Sequence, residues 1–460
     1  MANPATTGEK VITKSFDVVV IGGGTAAMIA AMRTRAGGKS VAVIDFRPLG
    51  GTCALRGCDP KKMLIGGTSA VDHVRKMRGK GVIGDSQIAW QELMAFKRTF
   101  TDPVPEKNTQ QYAEKGIETF NGRARFTGPS TVFVEGVGTL AAKFIVIATG
   151  AEPVRLGIPG EEHLVDNETF LSLAALPKRI VLVGGGYIAA EFSHIAARAG
   201  AQVTILQRGR QILAQFDPDL VGWLRKSFED LGIDVRTETA VKSIEQSAGG
   251  YQVLASKNGA DFTVTADLVV HAAGRAPAFE QMHLQAAGIA IKHGKLQLNE
   301  FLQSISNPSV YAAGDAAQIG PPLTPVSSHD GKVVAANILC GNHERTDYTG
   351  VPSVAFTIPP IAAVGLTEAQ ARDIGLRFHV KSELTSSWFS ARQAAEPVQG
   401  FKVFIEDVSD RILGAHLVGP HADEVINVFA LAIRYRLTAD DLKKTMFAYP
   451  TGASDIGYML

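Results

Sequence analysis

Near its start the chain runs Phe16-Asp-Val-Val-Val-Ile-Gly-Gly-Gly-Thr-Ala-Ala27, an unbroken β-branched stretch, a glycine turn and then alanines. A continuous run of this kind marks a strand buried on both faces of a parallel sheet, and the alanines that follow start a helix. The pattern returns at Ile180-Val-Leu-Val-Gly-Gly-Gly-Tyr-Ile-Ala-Ala190. Each copy closes with a second strand, over residues 40–45 and 202–207. Two complete βαβ units are therefore predicted, each with Gly-x-Gly-x-x-Ala between strand and helix, where a dinucleotide site needs it.

Elsewhere the pattern is shorter. Residues 251–255 and 262–270 read as strands that finish the second unit, and 144–150 and 309–315 as buried strands that each reach a glycine. From about residue 348 a different module begins, with strand material over 352–364, a helix over 368–373, strands over 401–405 and 412–418, and a helix over 425–435. The expected fold is α/β, with two Rossmann-like dinucleotide-binding domains and a C-terminal α+β dimerisation domain. Its boundaries are read as 1–150 with 272–345 for the first domain, 151–271 for the second and 346–460 for the third.

A length of 460 residues suits about three domains of roughly 150 each. With 46 Lys+Arg against 45 Asp+Glu the net charge is +1, so no overall field favours nucleic acid or an anionic membrane surface. The opening residues have neither a basic nor an apolar leader, and no later stretch reaches 18 unbroken apolar residues, so a cytoplasmic protein with a frayed start is expected. Three cysteines are too few for a secreted disulfide scaffold and suit a reducing compartment.

The glycine turn of Gly22 and Gly24, with Ala27, lets backbone N–H groups approach a pyrophosphate. Asp45, ending the second strand, suits a ribose 2′-hydroxyl and repels a 2′-phosphate, so this site fits FAD or NAD. The second turn, Gly184, Gly186 and Ala189, leads instead to Gln207-Arg208-Gly209-Arg210, where a carboxylate is missing and two guanidinium groups are at hand. That combination predicts NADPH in preference to NADH. Between the two units, Gly50-Gly51-Thr52-Cys53-Ala-Leu-Arg-Gly-Cys58-Asp-Pro60-Lys61-Lys62 holds two cysteines that can close a small, reversibly reduced ring, with Lys61 near enough to favour a thiolate.

This segment resembles the active site of the class I pyridine nucleotide–disulfide oxidoreductases, which include glutathione reductase, mercuric reductase and dihydrolipoamide dehydrogenase. The likeness spans nearly the whole chain, through Ala148-Thr149-Gly150, Gly314-Asp315, Gly184-x-Gly-Tyr187-Ile-x-x-Glu191, Leu323-Thr-Pro-Val, Phe356-Thr-x-Pro and Val364-Gly-Leu-Thr-Glu-x-Gln370. The resemblance implies that Gly51, Thr52, Thr149, Gly150 and Asp315 lie at FAD, and that Gly274 joins the nicotinamide-nucleotide residues. It makes Cys58 the charge-transfer thiol, Cys53 the interchange thiol, Lys61 and Glu191 an ion pair beside the flavin, and Tyr187 its aromatic cover. Electrons would pass from NADPH through FAD to Cys53–Cys58 and on to a small-molecule acceptor, a disulfide or a thiol-bound metal ion. A homodimer follows, with Tyr449 completing the partner's site.

The chain departs from the resemblance in several places. Where the disulfide reductases have histidine in a His-Pro-Thr motif, this chain has Tyr449-Pro450-Thr451, followed by Ser454 and Asp455. A phenol, with an ordinary pKa of about 10, is a poor base near neutral pH, which disfavours dithiol oxidation. Similar tyrosines occur in mercuric reductases, whose C-terminal vicinal cysteines have no counterpart in Tyr458-Met-Leu460. Glutathione reductase is weakened because Met32 replaces its peptide-binding arginine and Lys332 a second one. A dihydrolipoamide dehydrogenase-like enzyme and a redox-sensing, partner-binding flavoprotein are the other readings. His329 is a candidate substitute base. His416 and His421 read as structural and Cys340 as a small buried apolar residue, and no metal site is expected.

Overall fold

The first apolar run forms the strand Lys14–Ile21, with Val18, Val19 and Val20 fully buried, as a strand covered on both faces requires. A computed structural model of the chain describes residues 14–460; the frayed start expected from the sequence lies outside the described residues. These fall into two compact units, one holding residues up to Asp59, Thr99–Glu152 and Arg275–Tyr348, the other Pro60–Arg98, Pro153–Gly274 and Thr349–Leu460. No helix among the described residues is long and apolar enough to cross a membrane.

In the first unit Lys14–Ile21 pairs in parallel with Val41–Asp45 on one side and Gly138–Ile147 on the other, and Glu118–Asn121 extends the sheet beyond Val41–Asp45. The free side of Gly138–Ile147 is divided. Its first residues pair antiparallel with Thr131–Val134, and its last three, Ile145 to Ile147, pair in parallel with Val310–Ala312. Helix Thr25–Ala36 buries Ala26, Ala27, Ala30 and Ala31, small residues that let it lie close to helix Thr324–Cys340. At Gly331 of that second helix a Cβ would stand 2.7 Å from the Ala26 carbonyl oxygen, so a side chain there would force the helices apart.

The second unit carries a parallel sheet in the order Asp234–Arg236, Gln202–Leu206, Arg179–Val183, Leu268–His271. An antiparallel trio, Thr239–Ser247, Gly250–Lys257 and Ala260–Ala266, is inserted before its last strand. The single strand expected over 262–270 is thus two strands in two sheets. They part at Asp267, whose carboxylate accepts from the Arg179 backbone N–H at 2.9 Å and from its guanidinium. Further along, five antiparallel strands in the order Ser353–Ala355, Ile361–Gly365, Ile412–Val418, Gly400–Glu406, Phe378–Leu384 support helix Ala422–Tyr435, which buries Val425, Ile426 and Phe429. The architecture is the expected mixed α/β one, with a glycine turn at the end of the first strand of each parallel sheet.

Candidate active site

Cys53 lies in the short helix Gly51–Arg56, and Cys58 opens the helix Cys58–Met77 after a break at Gly57. Both are free thiols that meet at Thr324, the first residue of its own helix. Thr324 Oγ1 donates to Cys53 Sγ at 3.0 Å and stands 3.7 Å from Cys58 Sγ. A hydroxyl has one hydrogen, so Thr324 can donate to only one of the two sulfurs at a time. The Cys53 thiol is pushed far above its ordinary range, first by the hydrogen bond with Cys58 and then by burial. Of the two, Cys53 is therefore the one that keeps its proton. Asp59 Oδ1 lies 4.0 Å from Cys53 Sγ.

Around this pair the first unit holds a line of polar groups. Gly22, at φ +118°, is where the chain turns: a Cβ there would sit 2.2 Å from the Ala148 carbonyl oxygen. Gly51, at φ +65°, brings its backbone against Gly24, with an added Cβ 2.3 Å from the Gly24 Cα. Helix Thr25–Ala36 starts at Gly24 without a side-chain cap, so its first N–H groups are left for an anion. Asp45 is mostly buried, and desolvation raises its pKa although the Arg47 and Gly23 N–H groups oppose the shift. Burial likewise raises Asp315, against the nearby Arg275. Arg275 reaches the Ala151 carbonyl and, at 3.5 Å, Thr52 Oγ1. Its Nε and the Thr149 Oγ1 are buried without a protein partner, as is expected of groups that face a polar cofactor. These residues fit FAD. Gly150 has nothing within 4 Å of its Cβ position.

The second unit has its own constellation. Lys61 Nζ lies 2.7 Å from Glu191 Oε2, with the Glu191 side chain 1% exposed and the Lys61 side chain 14%. The other carboxylate oxygen of Glu191 accepts from the Phe356 backbone N–H at 2.8 Å, and the Phe356 ring stacks under Lys62 Nζ at 3.7 Å. Tyr187 is largely buried beside Phe216, which raises its phenol, against hydrogen bonds from Gln215 and Ser353. Gly184, at φ +113°, repeats Gly22: its Cβ would sit 2.2 Å from the Ala272 carbonyl oxygen. Helix Tyr187–Arg198 starts at Gly186 with no side-chain cap, and neither Gly186 nor Gly274 has an atom within 4 Å of its Cβ position. Beside Gly23 the neighbouring side chain is Asp45, and beside Gly185 it is Gln207, so the amide stands where the first unit has an acid. Arg208 and Arg210 are exposed just beyond, Arg210 Nε 3.8 Å from Glu238.

Two glycine turns and a cysteine pair held at one hydroxyl are now in place, and comparison with known proteins decides what they belong to. Residues 16–331 match the model of the pyridine nucleotide-disulphide oxidoreductases, and 351–459 match that family's dimerisation domain. The chain belongs to this family. Its members are FAD-dependent oxidoreductases that take reducing equivalents from NAD(P)H, and this chain is an enzyme of that kind. It is 32% identical to a mercuric reductase of Lysinibacillus sphaericus, over 96% of this chain and 81% of that protein. With a glutathione reductase of Burkholderia cepacia it shares 32%, over 96% and 97%, and with a dihydrolipoyl dehydrogenase of Thermus scotoductus 34%, over 95% of both. Among solved structures, the Cu(II) complex of the HOCl-induced flavoprotein disulfide reductase RclA from Escherichia coli superposes with a TM-score of 0.86 at 26% identity, covering 97% of this chain and 99% of that one.

Other residues singled out from the family pattern find different places. Tyr449 is 82% exposed. Asp455 bonds to Ser390 Oγ, and Ser454 is engaged with Thr451. His329 Nε2 accepts from the Asp347 backbone N–H, and its ring leans on Tyr348. His416 is buried, reaching the Leu366 carbonyl, and His421 precedes helix Ala422–Tyr435 in a left-handed conformation without a side-chain cap. Met32 packs against the core of the first unit, while Lys332 is exposed. Cys340 corrects the expectation of a buried apolar residue: at the last position of its helix it is exposed. Thr324, Asp59 and Arg275 were not anticipated. Only Thr324 left a trace, within Leu323-Thr-Pro-Val.

Proposed function

We propose that this protein is an NADPH-dependent flavoprotein that reduces a disulfide other than glutathione disulfide, through Cys53 and Cys58, as a homodimer. The observation that carries the reading is the meeting of both sulfurs at Thr324, with Cys53 the thiol that keeps its proton. FAD, when bound, supplies two-electron transfer between the nicotinamide nucleotide and the cysteine pair. Gly22, Gly24, Ala27, Asp45, Gly51, Thr52, Thr149, Gly150 and Asp315 would hold it. Gly184, Gly186, Gly274, Arg208 and Arg210 would hold NADPH, with Gln207 removing the charge that repels a 2′-phosphate.

The chain's own residues then divide the work. Cys58, at the start of a 20-residue helix, sits where the helix dipole favours a thiolate. Cys53 meets the acceptor, and Thr324 orients both sulfurs. Lys61, held by Glu191, supplies a fixed positive charge one helical turn beyond Cys58, and Tyr187 covers the nicotinamide side until the coenzyme arrives. Met32 offers no cation at the position that the glutathione enzymes use, and an exposed Lys332 gives only a point charge.

The test is an anaerobic acceptor screen with NADPH and with NADH, on the wild type and Cys58→Ser. A higher kcat/KM for NADPH is expected, along with faster turnover of small disulfides than of glutathione disulfide. Cys58→Ser should lose both disulfide turnover and the charge-transfer absorbance of the two-electron-reduced protein. Reduction of Hg(II) or quinones that outpaces every disulfide, or survives Cys58→Ser, would displace this reading.

A further inference from the structure

Disulfide reduction moves protons as well as electrons, and where the resemblance expects an imidazole Tyr449 brings an exposed phenol. Asp455 is turned to Ser390 and His329 to the Asp347 N–H. One carboxylate does reach the cysteine pair. Asp59, the second residue of the Cys58–Met77 helix, places Oδ1 4.0 Å from Cys53 Sγ, while Thr324 Oγ1 approaches the same sulfur at 3.0 Å. We propose that Asp59 is the acid–base residue of the dithiol chemistry, taking the proton of Cys53 and delivering it to the departing sulfur of the acceptor. The proposal rests on the disulfide-reductase reading above.

A contact of 4.0 Å is longer than a strong hydrogen bond, as catalytic contacts often are before substrate closes the site. Cys53 is the sulfur that needs such help. Its proton is held by Cys58 and by burial, and the Asp59 charge adds to the effect, so Cys53 requires a base before it can act as a nucleophile. An acceptor R–S–S–R′ is attacked by Cys53 Sγ as Asp59 takes the thiol proton. The Cys53–S–R bond forms, the acceptor S–S bond breaks with its electron pair on R′S⁻, and the Asp59 proton passes to that sulfur to give R′SH. Cys58, as thiolate, attacks Cys53 Sγ, so the Cys53–Cys58 disulfide forms and RS⁻ leaves. The hydride equivalent that NADPH gives up, two electrons and one proton, would return the pair to one thiol and one thiolate when FAD is bound, so the cycle balances.

A carboxylate at a helix start also has a plain structural use, because it complements the helix dipole. The two roles separate by leaving group. The experiment uses FAD-loaded enzyme with NADPH and two probes, bis(2-hydroxyethyl) disulfide, whose thiol is weakly acidic, and 5,5′-dithiobis(2-nitrobenzoate), whose thiol is strongly acidic and leaves without a proton. Asp59→Asn should lower kcat/KM for the hydroxyethyl disulfide by about 10²-fold or more. The aryl disulfide should lose at least tenfold less, and Asp59→Glu should recover part of the difference. Bound FAD and charge-transfer absorbance report that the variant is folded. Equal losses for both probes, or no loss, would overturn the role of Asp59. Full hydroxyethyl disulfide reduction by Cys53→Ser would overturn the disulfide-reductase reading instead, and this proposal with it.

Discussion

Thr324 serves two sulfurs with one hydroxyl, and losing that oxygen should be felt at once. Thr324→Val keeps the shape but leaves Cys53 Sγ without its 3.0 Å donor. A hydrogen bond between neutral groups is worth about 0.5–1.5 kcal/mol, so disulfide turnover should fall roughly 2- to 10-fold, measured as kcat at saturating NADPH. A different single residue contributes to acid sensitivity. His194 is fully buried, its Nδ1 accepts from the Ile358 N–H at 3.0 Å, and burial followed by the Arg198 charge holds its pKa well below 6.5. The unfolded chain therefore binds a proton that the folded one refuses. This part of the stability is present above about pH 6.5 and is lost as the pH falls below it, by at most about 1.4 kcal/mol per pH unit. Urea midpoints at pH 7.5 and 5.5 should differ in the wild type, and His194→Gln, which keeps an acceptor but does not titrate, should narrow that difference.

At the scale of elements, the two glycine turns do the same mechanical work with different neighbours. The first is pressed against Gly51, the residue that starts the cysteine-bearing helix. Gly51→Ala adds a methyl 2.3 Å from the Gly24 Cα at a φ of +65°, so both the turn and the helix start must move. Strain of about 1–3 kcal/mol at this contact should weaken flavin retention by roughly 5- to 150-fold, which equilibrium dialysis against free FAD would measure. The βαβ units were legible because an unbroken β-branched run, a glycine turn and an alanine helix coincide twice. The partition at Asp267 was not, since Ala266-Asp267-Leu268 has no glycine or proline and the turn depends on Arg179, far away in the chain. Asp59 was hidden for a similar reason. Beside Cys58 it reads as a helix-start acid, and only the break at Gly57 brings it toward Cys53.

At the scale of the whole molecule, helix Ala422–Tyr435 is apolar on more sides than its own sheet can cover. It buries Val425, Ile426 and Phe429, yet Leu431 is 57% exposed and Tyr435 71%. Met446 and Tyr449, further along, are exposed at 97% and 82%. Leu431 and Tyr435, four residues apart, share one helix face, an exposed apolar face of the kind that marks an association surface, and the match to a dimerisation domain gives the partner proposed here, a second copy. Leu431→Asp combined with Tyr435→Asp should shift light scattering from dimer toward monomer while flavin stays bound. Disulfide turnover should fall with the dimer fraction. An active monomer would separate the site from the interface.

The divided edge of Gly138–Ile147 also sets an order of events in synthesis. Ile145 to Ile147 find their outer neighbour in Val310–Ala312, which follows the entire Arg179–His271 sheet in the sequence. A nascent chain that has emerged only as far as His271 holds every strand of the inner parallel sheet, while the outer one still shows the unpaired backbone of residues 145–147. Pairing across so long a loop is slow, whereas strands that have already emerged can pair as the chain appears. The Arg179–His271 sheet is thus expected to assemble before the edge of the Lys14–Ile21 sheet is completed, with the bare strand edge as the species in most need of a chaperone.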